Sequence, residues 1–500
     1  MNSRDYPDIS LHELATLSPD ERTRLLLRVE DELEPFIEKV RPLIDEVAAE
    51  GDAALARHAA RFDGAEGLDA DAIAVGRQEF DRAFDELDSA DIDTMSYAAD
   101  NIRRYHEAQM PGEFWMKEIR PGVLVGERFT PINAVACYSP RGKGSFPVVT
   151  LMTAIPAAVA GVRLPIILTP AMPDGSVEPA TLVAARLAGV EAVFKAGGAS
   201  AVAAAAYGTA SIPKCDRIEG PGSPWLMAAK RVLANRIDGG LPAGPTETII
   251  LADPTADPAI AALDMCIESE HGPDGSAFLV TWDRGLAEAV RAGIPGYWNH
   301  QSDTLAGYSA TVLSGPRGGI VLAADAEDAY RFINDYAPEH CQVLSKTPFE
   351  HLAHITEAAE ILLGEHAPGT LANYLMGPNC VLPTSGAART HSPLGVHNFL
   401  KSASVGHVTA AGYAELAPHA HRFAKLEGFD GHANAVSSLR EGAGLHEMGI
   451  VAGDAGDAGD AGDAGDAGSD GSDGSDEVGS DKPEAAIDEG GERNSGEGAA

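Results

Sequence analysis

The sequence predicts an α/β protein built on parallel sheets, with helical N- and C-terminal segments and a disordered acidic tail. Two alternating blocks and one repeat carry this expectation. Between residues 134 and 247, short apolar runs alternate with alanine-rich stretches, and a second block runs from TETIILAD at 246–253 to about residue 394. Strand-length runs separated by helix-length segments are the pattern of parallel strands joined by crossover helices. From Ala452 the chain repeats AGD five times and continues mainly in Ser, Asp, Gly and Glu, too poor in apolar residues to bury a core, so order is not expected there.

In the first block the strand-like runs are AVACYS, PIILTP, AVFKAG and DRIEG. Three glycine loops accompany them: RGKGS at 141–145, GGAS at 197–200 and GPGS at 220–223. Ligands of open parallel sheets bind outside the carboxyl ends of the strands. Three loops at one sheet edge therefore favour a nucleotide crevice, although each alone reads equally well as a tight turn, and none is a GxGxxG. The second block contains FLVTW and GIVLA. Before both blocks, Leu26, Val29, Leu33, Ile37, Val40, Ile44 and Val47 recur at helical spacing, with Pro35 and Pro42 expected to kink or restart the helix. Asp81–His106 reads as one further helix, and residues 395–449 as mainly helical. The longest apolar run, 147–170, is broken by Pro156, Arg163 and Pro165. It predicts a buried helix and then a strand, not a membrane span.

Charge excludes several partners. The net charge is −38, and only 10 of the 37 basic residues are lysine. Residues 451–500 carry −13 and residues 1–450 still carry −25, so phosphate backbones and anionic lipid are repelled by body and tail alike. Such a surface suits high salt, where screening removes the self-repulsion, and a halophilic source is expected. The five cysteines include no CxxC and read as reduced thiols. MNSRDYPDIS has no apolar core, so no signal peptide is expected and the location is read as cytoplasmic.

Two clusters carry candidate chemistry. IESEHGPDG, 267–275, sets Glu268 and His271 three apart, which places them on one helix face. That is either half a metal site or a solvated helix end with a dipole-matched histidine. NDYAPEHC, 334–341, holds Glu339 beside His340. In an extended segment the two point to opposite sides and could share acid–base work on one substrate.

From about residue 20 to 440 the chain resembles the histidinol dehydrogenase family. The segments carrying the resemblance are YSPRGKGSFP, AGGASAVAAAAYGT, GPGSPW, LPAGPTE, SEHGPD, YAPEHC, LGEHAPGTLANYLMGPNCVLPTSG and GHANAV. It implies two incomplete Rossmann-like domains and an intertwined homodimer. It also implies a zinc ion that holds the substrate, and NAD-dependent oxidation of an alcohol through an aldehyde to a carboxylate. The implied organisation is an N-terminal helical segment, 1–30; a first α/β domain from 31–137 and 248–394; an NAD-binding domain, 138–247; a C-terminal helical segment, 395–450; and the tail, 451–500.

By position, the resemblance implies zinc ligands Glu268, His271, Asn373 and, from a second subunit, His432. The family has an amide where Glu268 stands and a carboxylate where Asn373 stands. The exchange is reciprocal and preserves ligand charge. Glu339 and His340 match the catalytic pair, Tyr138, Ser200 and Ser223 the cofactor positions, and Thr246 and Glu427 substrate contacts. The two serines are shorter than the family's Gln and Asn. Cys380 replaces a histidine, and Arg141, beside Lys143, replaces a glycine. These two cations are read as substrate contacts or as partners of a surface salt bridge. RGKGSFP is similar to a paralogous branch such as sulfopropanediol 3-dehydrogenase, which leaves three readings. They are oxidation of L-histidinol, oxidation of a small anionic alcohol such as 2,3-dihydroxypropane-1-sulfonate, and a non-catalytic nucleotide-binding relative.

Overall fold

The four runs of the first block form one parallel sheet because each can be buried on both faces. In Ala134–Tyr138, Ala134, Ala136 and Tyr138 join one apolar cluster while Val135 and Cys137 join the opposite one. In Leu164–Thr169, Ile166 and Leu168 alternate with Ile167 in the same way. A strand covered on both sides reads as a continuous apolar run. Across this sheet the order is Val193–Lys195, Leu164–Thr169, Ala134–Tyr138, Arg217–Glu219. Growth therefore reverses between the first strand in the chain and the fourth, which opens a crevice at their carboxyl ends.

The second block builds a six-stranded parallel sheet. Its order is Leu11–Glu13, Gly318–Leu322, Ser276–Thr281, Glu247–Ala252, His340–Leu344, Glu360–Leu363. Helices Pro258–Ser269, Arg284–Trp298 and Asp303–Leu313 pack on the face made by Ile250, Leu279 and Ile320. Helix Ala326–Tyr336 packs on the face made by Ile249, Phe278 and Val321. A third, antiparallel sheet orders Leu400–Val408, Val123–Pro131 and Phe114–Arg120, and its outer strands are largely exposed.

The computed structural model describes residues 6–28, 33–141 and 145–442. They fall into two compact units that part after Tyr413. The second unit carries most of the helix Ala410–Glu427, then Asp430–Asn434 and Ser438–Gly442. The acidic tail and Lys143 lie outside the described residues.

Several elements differ from expectation. Residues 31–137 were grouped with the six-stranded sheet, yet Ile37, Val40, Ile44 and Leu55 pack with Ala134, Ile166 and Ile218 on the four-stranded one. Phe80, Ala98 and Ile102 cover that sheet's other face. An apolar helical stripe shows that a helix is covered, not which sheet covers it. The N-terminal segment is not purely helical, since Leu11–Glu13 adds an edge strand. The helix that follows, Pro19–Leu25, is closed by a Ser18–Glu21 capping box, which satisfies two of its free N–H groups. Pro35 lies in the first turn of the continuous helix Glu34–Glu50, where its missing N–H costs nothing, and Pro42 is accommodated inside it. The single helix expected over Asp81–His106 is two, Arg77–Glu86 and Ser89–Ala108, because Asp88 caps the second by accepting from the Ala90 N–H at 2.9 Å. The segment expected to be helical from 395 opens with one short helical turn, Val396–Phe399, and then runs as the strand Leu400–Val408.

All five cysteines are free thiols. Among the described residues no helix is long and apolar enough to cross a membrane.

Candidate active site

The segment YAPEHC turns from helix to strand within three residues. Helix Ala326–Tyr336 stops at Ala337, which takes a left-handed conformation with φ 52°, and Pro338 prevents its continuation. Ser385, with φ 56°, is the other non-glycine residue of positive φ among those described. Its N–H donates to Glu247 Oε1 at 2.9 Å. Such conformations cost about 1–3 kcal/mol each and persist where surrounding contacts impose them. Both flank one cluster of carboxylates.

That cluster sits at the amino ends of the six-stranded sheet. Glu339 is buried, and its Oε2 accepts the Glu247 backbone N–H at 2.9 Å. His340 opens the next strand, with Nε2 3.8 Å from Glu339 Oε1 and Nδ1 2.7 Å from Glu360 Oε2. Burial pushes the Glu339 carboxyl well above the usual carboxylate range. Burial works against the imidazolium of His340, but Glu339, Glu268 and Glu360 outweigh it and raise its pKa. Glu339 and His340 therefore both hold protons tightly in the free protein.

A second group stands beside it. Helix Pro258–Ser269 ends with Glu268 inward, and Gly272, with φ 148°, turns the chain just past His271. Glu268 Oε1 accepts from the Asn373 amide at 2.7 Å, and Oε2 lies 3.0 Å from His271 Nδ1. Thr246 Oγ1 is 3.2 Å from the same nitrogen. Burial would raise the Glu268 pKa, but His271, His340 and Asn373 hold it at about 2. Its Oε2 is fully buried without an aligned hydrogen bond. An orphan carboxylate oxygen beside an imidazole and an amide fits a divalent cation of borderline softness. Among the described residues no group of three or more His, Cys, Asp or Glu side chains is placed to hold a metal ion by itself. Cys380 belongs to this region: burial and the charges of Glu360, Glu339 and Glu268 push its thiol up.

Tyr138, Ser200, Ser223 and Arg141 line a different cavity, of about 320 Å³, at the carboxyl ends of the four-stranded sheet. Tyr138, Pro170, Gly197–Ser200 and Ser223 deliver the ends of all four strands to it. The Gly198 N–H donates to the Tyr138 hydroxyl at 3.0 Å, and Ser200 Oγ lies 2.8 Å from His58 Nδ1, whose Nε2 meets Glu46 at 3.0 Å. Gly220, with φ 129°, allows the loop to press against Tyr138, whose carbonyl a Cβ would meet at 2.2 Å. Arg141 lines this cavity, not the carboxylate cluster, and donates to the Ala171 carbonyl at 3.1 Å. It was expected among the substrate contacts; the structure sets it with Tyr138, Ser200 and Ser223.

Asp63 faces the same cavity, and burial raises its pKa to about 6 against the lowering charge of Arg141. Because the folded value lies above the ordinary 3.8, the native state holds this proton more tightly, and stability falls as pH rises from about 4 to 6. Asp63→Asn is expected to stabilise the nucleotide-free protein at pH 7.5 by about 1 kcal/mol, allowing for partial solvent screening. The gain should shrink to about a third at pH 4.5 and vanish only below the ordinary 3.8, and urea midpoints across this range measure it.

Sequence reasoning thus placed Glu268, His271, Asn373, Thr246, Glu339, His340 and Cys380 in segments that meet, and Tyr138, Ser200, Ser223 and Arg141 in a second set that meets. Glu427 and His432 are exposed on the second unit. Glu360, His58, Asp63 and Glu247 were missed. A lone glutamate opening the run EILL was the available signal for Glu360.

Fold and site together mark a dehydrogenase, with proton-handling residues on one sheet and a glycine-walled cavity at the switch point of another. The chain belongs to the histidinol dehydrogenase family: residues 26–440 match the family model described as histidinol dehydrogenase. It is accordingly an NAD-dependent oxidoreductase acting on CH–OH groups. It is 57% identical over 435 residues to a histidinol dehydrogenase homolog of Colwellia psychrerythraea, covering 87% of this chain and 97% of that relative. Identity to the histidinol dehydrogenase of a Synechocystis species is 41% over 427 residues, covering 85% and 97%. The crystal structure of histidinol dehydrogenase from Elizabethkingia anophelis matches with a TM-score of 0.81 at 28% identity, over 88% of this chain and 99% of that one.

Proposed function

We propose that the protein is a cytoplasmic, zinc-dependent member of this family that oxidises an alcohol twice, through an aldehyde, to a carboxylate, with L-histidinol as the reference substrate. The observation carrying this reading is the buried line Glu339–His340–Glu360 beside Glu268, His271 and Asn373. NAD supplies the hydride acceptor, and zinc, held by Glu268, His271, Asn373 and His432 of a second subunit, supplies a positive centre that orients the alcohol. His340 takes the proton from the alcohol, and again from the hydrate, as hydride leaves carbon. Glu339 takes the proton from the water that adds to the aldehyde. Thr246 and Glu427 position the substrate, and Cys380 borders it.

A homodimer is part of the proposal. Its support is apolar surface on both units: Phe114, Trp115 and Ile119 on the antiparallel sheet, and Phe423, Leu426 and Phe429 on the second unit. Each set is unusual for a free surface.

Three carboxylates around His340 favour a cationic or neutral alcohol over an anionic one. Higher identity to the relative named a homolog than to the one named histidinol dehydrogenase makes a paralogous substrate the alternative. NADH formation from a panel including L-histidinol and 2,3-dihydroxypropane-1-sulfonate, in molar salt, separates the two. No NADH from any alcohol, with nucleotide still bound, would leave only a non-catalytic binder. Tyr138, Ser200 and Ser223 are proposed to hold the nucleotide, with Arg141 at its edge. Arg141→Gly is then expected to raise the KM for NAD equally with every alcohol, by about tenfold for one lost charged hydrogen bond. A change in preference among alcohols at constant KM for NAD would return Arg141 to the substrate.

A further inference from the structure

We propose that Glu360 is a positioning residue of this reaction: its carboxylate holds the Nδ1–H of His340, so that Nε2 is the nitrogen presented to the alcohol. This rests on the reading of His340 as proton acceptor given above.

The geometry is set by the sheet. His340 and Glu360 are direct register partners in neighbouring parallel strands. Residues in register project to the same face, and the two side chains meet at 2.7 Å, 6% and 7% exposed. The Glu360 N–H also donates to the Glu339 carbonyl at 3.1 Å, so the backbone carrying Glu360 is pinned to the residue before His340. Leu362, two residues on, is an ordinary buried apolar side chain.

A carboxylate at such a position is costly, since a buried charge gives up its hydration. Its side-chain partner is the His340 imidazole, and among the described residues Oε1 has no hydrogen bond. Tying the two strands together does not explain it, because the backbone ladder from His340 to Val343 already does so. Orienting the imidazole does. A carboxylate on Nδ1–H fixes the tautomer, stops the ring turning and stabilises the imidazolium formed when a proton reaches Nε2. With Nδ1 engaged, Nε2 is left on the Glu339 side, 3.8 Å from Oε1. When the alcohol O–H breaks, its proton goes to Nε2, the hydride would pass from carbon to bound NAD, and Glu360 takes up no proton from the substrate.

The test uses the zinc-loaded full-length enzyme and whichever alcohol of the panel gives NADH. Glu360→Gln keeps size and an acceptor but loses the charge, and kcat is expected to fall about tenfold. Glu360→Ala loses both, and the fall should be about 100-fold, with KM values within about twofold. Added formate should restore part of the Glu360→Ala turnover. A purely structural glutamate would not respond to formate. In the background of His340→Asn, Glu360→Ala should cost nothing further, because a residue acting through His340 has nothing left to position. Wild-type kcat in the Gln variant, or an equal loss with and without His340, overturns the inference. If Glu360→Ala does not fold, the near-isosteric Gln variant decides alone. Full turnover of His340→Asn would instead overturn the reading of His340 itself.

Discussion

His340→Asn is expected to reduce both oxidations by about 100- to 10,000-fold, the usual range for losing a general base. Nothing else described lies so close to both Glu339 and Glu360. Glu339→Gln should differ. It spares the first oxidation and hinders hydration of the aldehyde, so aldehyde accumulates and is trapped by a carbonyl reagent. Equal impairment of both steps in both variants would contradict this division. The wild-type pH profile carries a sign. The groups facing His340 are Glu339, Glu268, Glu360 and His271, and the carboxylates raise its pKa. A base must be neutral to accept a proton, so kcat/KM should climb with pH through a value above the ordinary 6.5 of histidine. A limb at or below that value would show that bound zinc and NAD have cancelled the carboxylate field.

The second large effect concerns metal. His271→Ala and His432→Ala should each lose zinc, from about one per subunit to near none, with turnover falling in proportion. Elemental analysis at neutral pH reads it directly. Because the proposed set spans two subunits, a mixed dimer of the two variants should regain one complete site and up to half the wild-type metal. A wild-type protein without metal, or a mixed dimer as empty as its parents, would end the shared-site model.

Local features of the sequence were legible where local chemistry fixes them. All four strand-like runs of the first block became strands, and the glycine loops at 197–200 and 220–223 follow strands of one sheet edge. Glu268 and Asn373, 105 residues apart, do meet. That pairing came from the family resemblance, since no periodicity links two positions so far apart. Glu360 escaped notice because a glutamate beginning a short apolar run looks like an exposed strand end; only the register with His340 makes it a buried partner. Leu400–Val408, expected within a mainly helical segment, is a strand whose side chains are largely exposed in a sheet open to solvent, so no buried apolar run marked it. The helices from Glu34 to Ala108 were joined to the wrong sheet because their stripes record burial without a destination.

The edge strand Leu11–Glu13 has a consequence for how the chain is made. His12 meets the Gly318 carbonyl 306 residues later. At about 5–20 residues per second, roughly 15–60 s of translation separate the two. During that time the first strand has no neighbour, and the central strands of its sheet are still within the ribosome or unmade. The four-stranded sheet and its covering helices, complete by Val232, can consolidate during translation. The six-stranded sheet cannot close until Glu360–Leu363 has emerged. Such high contact order slows folding. It makes the second sheet the late-forming unit and the one most dependent on chaperones, and the acid–base cluster is assembled only in that last step.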